Sequence, residues 1–274
     1  MQVGGGLTME LMMKIKTLND IVDSYDLLFV DMWGVVYDGV HALTPAIQVL
    51  NELHHQNKTM MFVSNNPRPQ SVARKTLDQI GVNSNIPIVT SGDVTRDLIR
   101  EKHSGHNVFH IGAETNQDIL KNMPVTEVSS LHEADFVLLS PFMDEVDDCT
   151  VFDEMLIEIA GLELPVYCPN PDVYAPHHGT LRKTAGFFAE RLERFGGTVI
   201  RIGKPCANIF EYVLEQYGQP IAKNKILMIG DGMETDIKGG IDFGIDTLFV
   251  EDGISKLISK DYDFSSKFRI DHLQ

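Results

Sequence analysis

Four places in this chain put polar, chemically capable residues at or just past the end of a predicted strand. Leu27-Leu28-Phe29-Val30 is followed by Asp31, and the run at 59–63 by Ser64 and Asn65. The run at 198–201 leads into Gly203-Lys204-Pro205. The run at 226–229 leads into Gly230-Asp231-Gly232-Met233-Glu234-Thr235-Asp236. In an open parallel sheet, ligands bind beyond the carboxyl ends of the strands, so four such ends can converge on one pocket. A carboxylate there can act as a nucleophile. A hydroxyl and backbone N–H groups can hold phosphoryl oxygens, a lysine can offset growing negative charge, and further carboxylates can hold Mg²⁺. Together these residue types suit phosphoryl transfer. Taken singly, each is an ordinary turn, and Gly230-Asp231-Gly232 does not fit the spaced glycines of a dinucleotide loop. Their joint occurrence, in order and each after a predicted strand, is what carries the reading.

The elements that must position these residues alternate along the chain. Strands are predicted at 27–30, 59–63 and 86–90, with helices at 45–56, 70–80 and 93–101 between and after them. Apolar residues recur at helical spacing in Ile47, Leu50 and Leu53. The middle of the chain repeats the theme, with strands at 108–111, 136–139 and 166–167 and helices at 117–121 and 151–160. A loop-rich stretch follows at 168–179. Then come a helix at 183–195, a strand at 198–201, a helix at 208–217 and strands at 226–229 and 247–250. This order implies an α/β protein with a Rossmann-like parallel sheet. The core is expected at 1–95 and 182–274, with an α/β domain inserted at 96–181. The acidic run at 144–148 suits a helix N-terminus, and Arg68 reads as solvated.

Composition narrows the partners. The 274 residues are 43% hydrophobic and 23% charged, with a formal net charge of -16, so a nucleic acid would be repelled. Three scattered cysteines form no disulfide or zinc pattern and suit a reducing compartment. No run approaches the roughly 20 apolar residues of a membrane span, and the N-terminus does not read as a signal peptide. A cytoplasmic location follows as an expectation, with no membrane partner. Gly4-Gly5-Gly6 reads as a flexible leader.

With these motifs the chain resembles the haloacid dehalogenase superfamily, in the subgroup with a large α/β cap that includes nitrophenylphosphatase-like and phosphoglycolate phosphatase-like enzymes. Asp31-Met32-Trp33-Gly34-Val35, Val63-Ser64-Asn65-Asn66, Gly203-Lys204-Pro205 and the acidic run ending at Asp236 are similar to its four motifs. Asn170-Pro171-Asp172 is similar to its substrate-facing cap loop. The resemblance implies that Asp31 attacks phosphorus to form an aspartyl phosphate. It implies that Ser64 and Asn65 hold the phosphoryl group and that Lys204 bridges phosphate and nucleophile. It also implies a Mg²⁺ ion held by Asp31, Asp231 and the backbone carbonyl of Trp33, with Asp236 at or just behind that shell. Substrate specificity falls to Asn170, Asp172, His177 and Arg182, where Arg182 could meet a second anionic group. The substrate implied is a small phosphorylated metabolite, and cap-mediated homodimers are common in the subgroup.

One position departs from the pattern. Most phosphatases of this superfamily carry a second aspartate two residues after the nucleophile, as acid and base, and here that residue is Trp33. Indole can only donate a hydrogen bond. The protein is therefore expected either to prefer good leaving groups or to borrow a proton donor from Tyr37, Asp38, His41, Asp172 or His177. A catalytically weak member that binds a phosphorylated ligand in a regulatory or scaffolding role is the alternative. Carbon–halogen hydrolysis needs no metal, and the late acidic residues argue against it.

Overall fold

The computed structural model describes residues 12–144, 146–177, 180–253 and 262–274, with the backbone alone at 176 and 177. The chain divides into two compact units. The first comprises Met1–Ser64, Arg74–Val89 and Phe210–Gln274; the second comprises Asn65–Ala73 and Thr90–Ile209.

The first unit is built on a seven-stranded sheet in the order Met13–Lys14, Phe268–Ile270, Asp246–Val250, Ile226–Gly230, Leu27–Val30, Thr59–Ser64, Ile88–Thr90. The pairings from Met13–Lys14 across to Thr59–Ser64 are all parallel. Leu27–Val30 and Ile226–Gly230 lie side by side in the middle and are buried along their whole length. That burial explains their unbroken apolar runs, since a central parallel strand is covered on both faces. The helix Thr44–His55 carries Pro45 in its first turn, where the missing N–H costs nothing, and buries Ala46, Ile47, Val49, Leu50 and Leu53. Val30 pairs with Ile229 on one side and Phe62 on the other. The three strands therefore end at one level, and Asp31, Ser64 and Asp231 stand at their carboxyl ends.

The second unit has a five-stranded parallel sheet in the order Val199–Arg201, Val166–Cys168, Phe136–Ser140, Asn107–Gly112, Thr126–Glu127. Its central strand, Phe136–Ser140, is fully buried. Leu156, Ile159, Phe188, Ala189 and Leu192, from the helices Asp153–Leu162 and Ala185–Arg194, pack against the sheet with Val137 and Leu139. A small antiparallel sheet joins Tyr174–His177, Thr180–Lys183 and Met143–Asp144. The helix Ser91–Lys102 starts at a capping box, in which Thr90 and Asp93 satisfy each other's backbone N–H.

The α/β parallel architecture with an inserted second domain is as the sequence implies. Several elements differ. The strand expected at 198–201 in the core pairs instead with Val166–Cys168 in the second unit. Residues 65–73, 90–95 and 182–209 also fall in that unit, which is wider than an insert at 96–181. Part of the loop-rich stretch forms the strand Tyr174–His177, and residues 180–183 form its partner strand before the helix begins at Ala185. The segment read as helix at 117–121 is a 3₁₀ turn over Glu114–Ile119. Two outer strands, Met13–Lys14 and Phe268–Ile270, had no expectation attached to them. Within the acidic run, Asp148 caps the 3₁₀ turn Cys149–Phe152 by accepting from Thr150 N, and Glu145 lies outside the described residues, as do Gly4-Gly5-Gly6. No helix is long and apolar enough to cross a membrane, among the described residues.

Candidate active site

Three carboxylates meet at the carboxyl ends of the two central strands. Asp31 follows Leu27–Val30, and its N–H donates to the Ile229 carbonyl of the neighbouring strand at 2.8 Å. Asp231 follows Ile226–Gly230. Asp236 lies within a π-helical turn, Met233–Ile237, whose Ile237 N–H reaches back five residues to the Gly232 carbonyl at 3.1 Å. Such wide turns are often found at functional sites because they re-aim a side chain. The turn brings Asp236 back toward the strand end, where its Oδ2 accepts from Gly232 N at 2.9 Å. Asp31, Asp231 and Asp236 each offer an oxygen within 4.8 Å of the others. They are buried, with relative exposures of 8%, 3% and 0%.

Three like charges gathered out of water repel one another, and that arrangement is tolerable when a cation sits among them. The donor set is all oxygen, the preference of Mg²⁺. Opposite ligands on one Mg²⁺ lie about 4 Å apart, so the observed spacing needs only small side-chain adjustment. The residues present therefore fit a divalent hard cation.

After Asp31 the backbone folds into a tight loop. Gly34 takes φ +78°, and its N–H donates to the Tyr37 carbonyl at 2.8 Å. A Cβ on Gly34 would lie 1.8 Å from Asp231 Oδ2, so only glycine fits there. Trp33 packs edge-on against Tyr37, with ring centroids 5.4 Å apart. The Tyr37 hydroxyl donates to the Gly39 carbonyl at 2.9 Å. Asp38 Oδ1 accepts from the backbone N–H of Val40 and His41 at 2.8 and 2.6 Å, while Oδ2 lies 3.3 Å from His41 Nδ1. Partial burial pushes the Asp38 carboxyl up, but the two N–H donors and His41 outweigh it and leave it below the usual aspartate range. Asp38 therefore sits ionised in this turn at neutral pH, a state suited to accepting protons rather than donating them.

In the second unit, Asn65 and Lys204 form a buried bracket. Asn65 Oδ1 accepts from Lys204 N at 2.7 Å, and Asn65 Nδ2 donates to the Lys204 carbonyl at 2.9 Å. The same Nδ2 donates to Asp172 Oδ1 at 2.9 Å. The loop that carries Lys204 is fixed by Asn208, which accepts from Gly203 N at 3.1 Å and donates to the Arg201 carbonyl at 2.8 Å. Asn170 is buried and its Oδ1 accepts from Asp172 N at 3.0 Å. The Asp172 carbonyl accepts from Gly186 N at 3.0 Å and from the Thr184 hydroxyl. Lys204 itself is 2% exposed, an unusual degree of burial for an ammonium.

The structure thus gathers Asp31, Asp231 and Asp236 in one unit, with Ser64 at the end of an adjacent strand. It gathers Asn65, Asn170, Asp172 and Lys204 in the other. Arg182 is ion-paired to Asp144 at 2.8 Å and stacked 5.1 Å over the Phe142 ring, so its charge is already met by a neighbouring carboxylate. His177 ends the strand Tyr174–His177 opposite Thr180; its side chain, and His178, lie outside the described residues. Arg68 is not simply solvated but pairs with Asp118 at 2.6 Å. Sequence reasoning missed Gly253, whose backbone abuts Asp231; a Cβ there would lie 2.0 Å from Asp231 Oδ2. A lone glycine in a turn gave no signal of that contact.

Comparison with known proteins gives a consistent family likeness. A family model described as haloacid dehalogenase-like hydrolase matches residues 28–126, and a second, HAD-hydrolase-like, matches residues 201–274. A solved haloacid dehalogenase-like hydrolase from Brucella suis is 33% identical, with a TM-score of 0.85 over 95% of this chain and 100% of that one. The acid sugar phosphatase of Staphylococcus aureus is 26% identical over 85% of this chain and 89% of its own length. A 4-nitrophenylphosphatase from Thermotoga maritima is 22% identical, with a TM-score of 0.72 over 92% of this chain and 96% of that one, a likeness of fold.

Proposed function

The chain belongs to the haloacid dehalogenase-like hydrolases, and from that premise we propose that it is a Mg²⁺-dependent phosphohydrolase of small phosphorylated metabolites, sugar phosphates among them, working through an aspartyl phosphate at Asp31. The observation that carries this reading is the buried carboxylate trio of Asp31, Asp231 and Asp236, with oxygens within 4.8 Å of one another. The acid sugar phosphatase relative supports the substrate class.

In this reading an Asp31 oxygen attacks phosphorus, and the bond from phosphorus to the ester oxygen breaks. The leaving oxygen takes a proton from water and departs as the alcohol, and the hydroxide left behind is neutralised by the proton released when water later attacks the intermediate. Water then attacks the phosphorus of the aspartyl phosphate, releasing inorganic phosphate and returning the Asp31 carboxylate. Asp31, Asp231, Asp236 and the Trp33 carbonyl would hold the Mg²⁺. Bound there, the ion supplies positive charge against the transferring phosphoryl group. The Ser64 hydroxyl, the Asn65 backbone N–H and Lys204 are proposed to bind phosphoryl oxygens, with the Asn65 side chain holding the Lys204 backbone as described. Asn170 and Asp172 are proposed to face the substrate. The ion pair of Arg182 with Asp144 supports substrates that carry a single anionic group.

Trp33 favours a second reading, in which the protein binds a phosphorylated ligand and turns it over poorly. Phosphate release from hexose and pentose phosphates and from 4-nitrophenyl phosphate separates the two, measured with Mg²⁺ and with EDTA on wild type and Asp31→Asn. Turnover that requires Mg²⁺ and vanishes in Asp31→Asn is expected. Ligand binding without turnover supports the second reading, and turnover that survives in Asp31→Asn overturns the first.

A further inference from the structure

We infer that Gly253 is a positioning residue for the metal centre, holding the Asp231 carboxylate against the other two. The inference rests on the reading of the trio as a Mg²⁺ site. Two glycines from different strand-end loops close on one oxygen: a Cβ at Gly34 would lie 1.8 Å from Asp231 Oδ2, and a Cβ at Gly253 would lie 2.0 Å from the same atom. The carboxylate occupies the space that two side chains would otherwise fill. Gly253 also approaches the root of the side chain, for its Cβ would lie 2.2 Å from Asp231 Cβ. A methyl group there cannot be accommodated by swinging the carboxylate alone, and Gly34 crowds the same carboxylate.

The turn that carries Gly253 is anchored from the end of the chain. Glu251 N donates to the Ile270 carbonyl and Asp252 N to the Asp271 carbonyl, both at 2.9 Å. Arg269 Nη1 donates to Glu251 Oε1 at 2.9 Å. The strand Phe268–Ile270 therefore fixes the turn, and the turn fixes Asp231. Groups that orient metal ligands typically change affinity by about 10–100-fold when altered. Gly253 is a cleaner probe than Gly34, because Gly34 holds a positive φ and a side chain there strains the backbone as well.

The test is Mg²⁺ titration by calorimetry, with Mn²⁺ as a paramagnetic probe, on full-length wild type, Gly253→Ala and Gly161→Ala. A Cβ on Gly161 would meet nothing within 4 Å, so that variant serves as the control. Gly253→Ala is expected to weaken Mg²⁺ binding by about ten-fold or more. The KM for phosphate ester at saturating Mg²⁺ is expected to stay near wild type, while the metal-free melting temperature falls as the overlap with Asp231 is relieved. Gly161→Ala is expected to bind as wild type does. Should Gly253→Ala fail to fold, Arg269→Gln loosens the turn without adding an atom beside Asp231, and a several-fold weaker Mg²⁺ affinity is expected. Unchanged affinity in Gly253→Ala, or in Arg269→Gln where that is the variant that folds, overturns the inference. Wild type that binds no Mg²⁺ takes down the metal reading itself, a result distinguishable from the first.

Discussion

Asn65 and Lys204, 139 positions apart, grip each other through both faces of one side-chain amide: Oδ1 accepts from the Lys204 N–H and Nδ2 donates to the Lys204 carbonyl. The second hydrogen of Nδ2 goes to Asp172. Every hydrogen of that amide is committed, so its orientation is fixed by its partners.

Replacing Asn65 tests this bracket. Asn65→Ala leaves the Lys204 N–H and carbonyl without their partner in a buried setting, at about 1–3 kcal/mol for each such group. Asn65→Asp keeps the acceptor but sets a carboxylate against the Lys204 carbonyl and Asp172. It is expected to be at least as destabilising as alanine despite its matching shape. Urea unfolding measures both, and an Asn65→Asp protein within about 0.5 kcal/mol of wild type contradicts the orientation described.

The carboxylate trio makes metal removal informative. With Mg²⁺ at 100 times its dissociation constant, wild type gains about 2.7 kcal/mol, and Asp31→Asn, with one carboxylate fewer around the ion, gains less. Thermal unfolding in EDTA and in Mg²⁺ checks this. An Asp31→Asn protein that gains as much from Mg²⁺ as wild type contradicts the metal reading.

Trp33 sets the leaving-group preference. It packs on Tyr37 and brings no titratable proton, and Asp38 in the same loop sits ionised. Aryl phosphates are therefore expected to react much faster than alkyl phosphates. Trp33→Asp is expected to raise kcat/KM on alkyl phosphates by about 10²-fold while aryl phosphates change little. Losing the aromatic pair costs about 0.5–1.5 kcal/mol of stability, too little to unfold the protein. An alkyl-to-aryl rate ratio that does not move in Trp33→Asp excludes the missing acid as the cause.

His110 gives the second unit an acid-side weakness. Burial pushes its imidazole down to about 4. Its Nε2 sits 2.7 Å from Ser140 Oγ and its Nδ1 3.8 Å from Glu127. Between its unfolded value near 6.5 and about 4, the unfolded chain binds more protons at this site than the folded one. Stability therefore falls as pH drops through that window, by on the order of 3 kcal/mol in all. Below about pH 4 this contribution levels off. Urea midpoints across pH 4–7, for wild type and His110→Gln, are expected to show a shallower slope in the variant. Identical slopes contradict the assignment.

Much of the site was legible because its residues follow buried strands. Asp31 and Asp231 each stand one or two residues past an unbroken apolar run, and such a run in an α/β pattern marks a central strand. Asp236 was legible by its place in the same acidic motif, although the π-helical turn that aims it was not. The strand Val199–Arg201 is legible as a strand, yet its sheet is not. It is three residues long and only partly buried, and nothing in three residues encodes which neighbour they pair with. Arg182 and Arg68 read as available or solvated, yet each finds a carboxylate, Asp144 and Asp118. Those partners lie tens of residues away, where no local period connects them.

The sequence by itself determined the parallel α/β framework and which polar residues follow its strands, because hydrophobic period and turn residues are local properties of the chain. Tertiary structure alone decided the pairings: the Asn65 amide on Lys204, Asp144 on Arg182, the backbone of Gly253 on Asp231. Each of these depends on two segments being brought within a few ångströms by packing, and side-chain chemistry can choose a partner only among groups that the fold has already placed in reach.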